Sequence, residues 1–261
     1  TPDTQNAIRV FDRLLNESDG PARSINRLRF SHPGRFAEMF SPLRKLVPED
    51  CFEEIQYNGT FAAFRGLPFA RSTEGDIWFG IENEKTLLQP QTFERFCQFF
   101  DDLRTYRRHD SPNRSHSFYR LLPEAWLEST LRRNITKLDP NLILSPLHYQ
   151  FRAAGDQIDL FALRRDGRLV IIELKALPNR EHLFQSLGYF AEIESQRKAG
   201  NLRGLFGDRE ISDRTPLVYL AAPHSAFHPT IRDLAAMIVE DVEIFRFDLN
   251  ESWRREMRVL E

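Results

Sequence analysis

Apolar positions recur along this chain with two different periods, and the period switches from one segment to the next. Ala7, Val10, Phe11 and Leu14 fall at the i, i+3, i+4, i+7 spacing of one helix face. Phe52 to Tyr57 and Thr60 to Arg65 read as strands on either side of Asn58-Gly59, a dipeptide that favours a two-residue hairpin turn. GDIWFGIE, residues 75 to 82, predicts a further strand. Phe93, Phe96, Cys97, Phe100 and Leu103 predict an amphipathic helix that ends in Arg104, Arg107 and Arg108. Those arginines suit a helix C-terminus, where the backbone dipole favours cations; the other reading is a phosphate-contacting edge.

Further along, the alternation of helices and apolar strands is more regular. Pro123 to Asn134 predicts a helix and residues 147 to 152 a strand. Ile158 to Leu163 and Leu169 to Ala176 read as strands joined through Asp166-Gly167. A helix over His182 to Gln196, a buried strand over Pro216 to Ala222, a helix over Thr230 to Glu240 and a last strand over Val242 to Phe247 complete the pattern. Helices interleaved with apolar strands imply an α/β protein with a mixed sheet covered by helices. The polar stretch RRHDSPNRSHS, residues 107 to 117, interrupts the pattern on both sides. It divides a smaller α+β part, residues 1–110, from a larger part, residues 116–261.

Composition narrows the function classes only modestly. At 261 residues with a formal net charge of −2, the chain has no global attraction to nucleic acid and no global repulsion from it. Only five of its 36 basic residues are lysines. This skew fits either a compositional bias or recognition of phosphates by guanidinium forks. Cys51 and Cys97 stand far apart with no CxxC spacing, which argues against a zinc ribbon or a disulfide framework, and both read as core residues. No apolar run approaches the roughly 18 residues of a membrane span, and TPDTQNAIRVFDRLL lacks a signal-peptide core. The expectation is a soluble, cytoplasmic protein.

The chemistry concentrates in GDQIDLFALRRDGRLVIIELKA, residues 155 to 176. Glu173 and Lys175 end an otherwise apolar strand and, two residues apart, share one face. Asp159, on the preceding strand, joins that face only if it lies directly opposite Glu173. That register makes paired residue numbers sum to 332 and leaves a three-residue loop, Arg165-Asp166-Gly167, with Gly167 suited to a left-handed position. A two-residue Asp-Gly turn would instead set Asp159 opposite Leu174. Two carboxylates and a lysine on one patch suit a hard divalent cation, Mg²⁺ or Mn²⁺, which takes oxygen ligands and activates water beside a phosphodiester. A surface ion pair is the plainer reading of the Glu-x-Lys spacing by itself.

The order Asp159 … Glu173-Leu174-Lys175, followed by Gln185-Ser186-Leu187-Gly188-Tyr189, resembles the PD-(D/E)xK nuclease superfamily, and within it the NucS/EndoMS-type nuclease domain. The likeness spans roughly residues 120 to 247. It implies a restriction-endonuclease-like fold in which Asp159, Glu173 and the Leu174 carbonyl hold the metal. Lys175 would then act on the attacking water as the base or its helper, and Gln185 and Tyr189 would support the site or touch DNA. The family also places a glutamate on a preceding helix. Glu124 and Glu128, spaced i, i+4, both qualify, with Glu124 favoured because EAWLESTL follows the family's E-x-x-L-x-x-x-L spacing. The first acidic position reads Gly155-Asp156-Gln157-Ile158-Asp159 rather than Pro-Asp, and the N-terminal part does not match the DNA-binding β domain of the NucS type.

The resulting expectation is a metal-dependent DNA endonuclease, with a homodimer to be expected if both strands are cut. The alternative is a non-catalytic nucleic-acid- or partner-binding protein on a nuclease-like fold. His224 and His228 lack a third ligand for zinc, and no phosphate-binding GxxxxGK[ST] loop occurs.

Overall fold

The computed structural model of the protein describes residues 53–56, 60–73, 76–81, 84–145, 152–153, 156–179, 181–238 and 242–260. The helix predicted around Val10, Cys51 and the Asn58-Gly59 turn lie outside the described residues, as does nearly all of the strand predicted at 147–152.

Two sheets organise these residues, giving an α/β protein in which helices flank a mixed and an antiparallel sheet. The first is an antiparallel meander of β1 (Glu53–Gln56), β2 (Thr60–Phe64), β3 (Leu67–Thr73), β4 (Asp76–Phe79) and β5 (Thr86–Leu87). Gln56 pairs with Thr60 where β1 meets β2. β3 was not predicted: Leu67-Pro68 and Arg71 break its alternation, yet it pairs on both sides. Helix α1 (Phe93–Tyr106) covers this sheet with Phe96, Phe100 and Leu103, which pack on Phe64, Phe69 and Phe79. Cys97 falls beside that stripe and is exposed, contrary to its expected burial.

The stretch between the two sheets is not a free connector. Arg107 is fully buried. Its guanidinium donates to the carbonyls of Phe64 and Arg65 in the first sheet at 2.8–3.2 Å and to those of Phe118, Leu121 and Leu122 at 2.8–3.3 Å. Helices α2 (Ser117–Arg120) and α3 (Pro123–Arg133) follow, the latter opening on a proline whose fixed φ suits a first helical turn. The β2–β3 turn presses on α3: a Cβ at Gly66, φ +75°, would lie 2.0 Å from the Ala125 carbonyl oxygen. The guanidinium of Arg107 thus anchors the fold instead of offering a phosphate contact.

The second sheet contains β6 (Leu142–Leu144), β9 (Leu160–Arg164), β10 (Leu169–Leu174), β11 (Leu217–Pro223) and β12 (Glu243–Leu249). A separate short pair, β7 (Arg152–Ala153) and β8 (Asp156–Gln157), precedes β9. The sheet order is β12-β11-β10-β9-β6, with β10, β11 and β12 mutually parallel and β9 antiparallel to both β6 and β10. Every residue of β10 is buried. Val170, Ile172 and Leu174 face α3 through Trp126, Leu127 and Leu131. Leu169 and Ile171 face α4 (His182–Lys198) through Tyr189 and Ile193. The long apolar run is therefore an inner strand clothed on both sides. α5 is a short helix, Ile231–Ala235, and not the eleven-residue one expected. No described helix is long and apolar enough to cross a membrane.

Candidate active site

The β9–β10 register places the acids. Leu163 pairs with Leu169, Ala162 with Val170, Phe161 with Ile171 and Leu160 with Ile172, so each pair sums to 332 and the next step sets Asp159 opposite Glu173. The loop Arg165-Asp166-Gly167 makes this register possible. Gly167 has φ +82°, and its N–H donates to the Arg164 carbonyl at 2.9 Å. A left-handed residue closing a three-residue hairpin loop is the role glycine fills without a Cβ penalty.

Asp159 stands just before β9 and accepts a hydrogen bond from the Leu174 backbone N–H at 2.7 Å through Oδ2. Glu173 is buried at the end of β10, and its Oε1 accepts from the Lys175 ammonium at 2.7 Å. Its other oxygen, Oε2, is buried with no hydrogen-bond partner. Lys175 is itself 5 % exposed, so this is a buried ion pair, whose attraction is offset by desolvation.

The charge balance is uneven. Burial, reinforced by the Glu124 charge and opposed by the Leu174 N–H and Lys175, pushes the Asp159 carboxyl up to about 6. Burial and the neighbouring Asp159 push Glu173 well above the usual carboxylate range. For Lys175, burial alone lowers the pKa, but Glu173, Asp159 and Glu124 outweigh it and hold the ammonium above its ordinary value. One ammonium thus faces two buried carboxyls and a third acid nearby. Without a further cation, the carboxyls retain a proton well above pH 4.

Of the two helical acids, Glu124 acts on this cluster. It lies in the first turn of α3, half-buried, and its charge acts on Asp159, Glu173 and Lys175. Glu128, one turn further along the same helix, is ion-paired to Arg132. Gln185, in the first turns of α4, has a buried Oε1 without a partner. Tyr189 is 5 % exposed and packs with Ile158, Phe161 and Ile193, so its ring is a core element rather than a DNA-facing group.

No protein-family model, curated protein or solved structure matches this chain.

His182 is the residue that the sequence did not point to. It opens α4, is fully buried and stacks on Phe227 with ring centroids 5.6 Å apart. Burial pushes its pKa down to about 4, so the ring is neutral near pH 7. Its Nε2 lies 3.0 Å from the Glu173 carbonyl oxygen, which can only accept, so Nε2 carries the hydrogen and donates it. This bond ties the start of α4 to the strand end that presents Glu173. Its only sequence signal is a histidine seven residues after Lys175, a spacing that by itself points to no chemistry.

Among the described residues, no group of three or more His, Cys, Asp and Glu side chains is disposed to hold a metal ion. Asp159, Glu173 and Glu124 act on one another through their charges without forming such a cage. Two side-chain carboxylates with backbone and non-protein oxygens remain a donor set of the kind Mg²⁺ accepts. His224 and His228 each have another partner: Asp248 at 2.7 Å and Thr230 at 2.8 Å.

Proposed function

We propose that this chain is a divalent-metal-dependent DNA endonuclease of the PD-(D/E)xK kind, with a restriction-endonuclease-like catalytic part. The observation that carries the reading is the convergence of Asp159 and Glu173 on one patch, with a single ammonium bonded to Glu173 and facing two carboxyls by its charge. A strand-end Glu–Lys pair serving only as a surface contact would be solvated, whereas this pair is buried.

The residues fit a hard cation. The Oε2 of Glu173, the oxygen that Lys175 does not hold, stands beside the Asp159 carboxyl, and the proton that this pair retains is one a cation could replace. Asp159, Glu173 and the Leu174 carbonyl would hold Mg²⁺ or Mn²⁺, which when bound lowers the pKa of water and polarises a phosphoryl oxygen. Glu124 adds negative charge at the edge of the patch. Lys175 carries its proton, so its part is that of a fixed cation against charge developing on the phosphate, and not of a base in this state. The free Oε1 of Gln185 can accept a hydrogen bond from water at the site.

The decisive experiment incubates the protein with Mg²⁺ or Mn²⁺ and single-stranded, duplex and branched DNA, with RNA in parallel. Cleavage that falls on the order of 100-fold or more in Lys175→Ala supports the proposal. Salt-dependent binding with no cleavage of any substrate would favour a non-catalytic binding protein instead.

The titration of the acids gives a second expectation. With its pKa raised to about 6, folded Asp159 binds more protons than unfolded Asp159 between roughly pH 4 and 6, so its contribution to stability falls as pH rises through that window. Glu173 acts in the same direction to higher pH. His182, depressed to about 4, acts oppositely: its contribution is present above about 6.5 and is lost as pH falls toward 4. A cation that replaces the retained proton should therefore stabilise the protein more at pH 8 than at pH 5. Thermal melts with and without 5 mM Mn²⁺ (about 100 times an assumed Kd near 50 µM, hence about 2.7 kcal/mol) should differ by several degrees at pH 8 and scarcely at pH 5. Equal shifts at both pH values would contradict the assignment.

A further inference from the structure

A cleft of about 600 Å³ lies between the segment after α1 and the chain beyond β12. Its volume is within the range of about 300–1,000 Å³ that small molecules occupy. Arg114, Arg254 and Arg255 line it together with His109 and Tyr119.

The cleft also holds two acids, Asp110 and Glu251, and neither forms an ion pair with an arginine of its lining. Asp110 is paired with Arg108. Glu251 accepts the Ser225 N–H at 2.8 Å and the Ser225 hydroxyl at 2.9 Å. Among the described residues, no carboxylate pairs with the guanidinium of Arg114 or Arg255.

Arg254 is the fixed member of the group. Its guanidinium lies over the rings of Trp253, Tyr119 and Trp126 at 4.4, 5.0 and 5.1 Å. Its Nε is buried with no hydrogen-bond partner. Burial and the nearby Arg114 charge both disfavour its protonated form, while Tyr119 supports it. Arg114 and Arg254 line the same cleft, and among the described residues no carboxylate forms an ion pair with Arg254. Aromatic stacking orients one fork, and the exposed Arg114 and Arg255 can close on a ligand.

We propose that this cleft binds a phosphate-bearing ligand of nucleotide size, with Arg254 as the preorganised fork and Arg114 and Arg255 as its flanking cations. Guanidinium forks match phosphate oxygens in pairs, and Tyr119 offers a ring face to a base. The same phosphate chemistry could come from a free nucleotide or from a nucleic acid strand. Neither Asp159 nor Glu173 lines the cleft, so the proposal stands whether or not the chain cleaves DNA.

The test is calorimetric titration of the full chain with inorganic pyrophosphate and with a mononucleotide, without divalent metal. Saturable binding to the wild-type chain is expected, weakened at least tenfold in Arg114→Glu/Arg255→Glu and retained in Asp159→Asn. The double variant changes only exposed side chains, so it separates binding from folding where Arg254→Ala could disturb the aromatic stack. Displacement of the mononucleotide by a short single-stranded oligonucleotide would assign the site to a nucleic acid strand. Failure of the oligonucleotide to displace it would assign the site to free nucleotide; either result supports the proposal. Absence of saturable binding, or equal binding by the double variant, would overturn it.

Discussion

Asp159→Asn is expected to abolish metal-dependent cleavage while making the metal-free protein more stable. The two effects share one cause. The Asp159 carboxyl is driven up to about 6 mainly by burial, so at pH 8 the folded chain holds a charge that water would solvate better. Asparagine removes that charge and can still accept the Leu174 N–H with its side-chain oxygen. The gain should be on the order of 1 kcal/mol or more in the absence of cation, and larger at pH 8 than at pH 5. Mn²⁺ should no longer raise the melting temperature of the variant. Urea denaturation at the two pH values, alongside a cleavage assay, measures both halves. A residue of purely structural value would lose stability and activity together.

Arg107→Ala is expected to be the most damaging single change outside the site. The guanidinium is fully buried and joins carbonyls of Phe64 and Arg65 to those of Phe118, Leu121 and Leu122. It also lies 4.8 Å from the Trp126 ring centroid. Truncation leaves several buried acceptors without donors and opens space beside Trp126. A loss of about 3–5 kcal/mol follows from the cost of such orphaned groups. Arg107→Lys should recover little, because an ammonium cannot span carbonyls arranged for a planar fork. The denaturation midpoint reads the effect, and a change below about 0.5 kcal/mol, the size expected of an ordinary surface site, would contradict it.

These two residues differ in how far they could be read from sequence. The place of Asp159 was legible because side-chain direction in a hairpin is fixed by counting, and Gly167 allowed an odd loop to be chosen over an even one. β10 was equally legible, since only an inner strand tolerates four consecutive apolar residues on both faces. Arg107 was not, because an arginine at a helix end ordinarily reaches solvent; its burial depends on five carbonyls from distant segments. His182 was hidden for the same reason: its partner is a backbone oxygen, which leaves no trace in residue type. Cys97 shows the limit of a periodic stripe. Phe96, Phe100 and Leu103 define the buried face of α1, and the residue next to Phe96 already falls off it. Glu124 and Glu128 lie on one helical face, and spacing favoured Glu124 only slightly; in the structure the charge of Glu124 reaches Asp159, Glu173 and Lys175, while Glu128 pairs with Arg132.

On the proposed mechanism, Asp159 and Glu173 jointly take one divalent cation. Titration of Mn²⁺ into metal-stripped protein near pH 6.5 tests this most directly. The expected result is one saturable site per chain, proton release on binding as the carboxyls lose the proton they retain, and loss of the site in Asp159→Asn. Unchanged Mn²⁺ binding by that variant, or binding without any proton release, would contradict it.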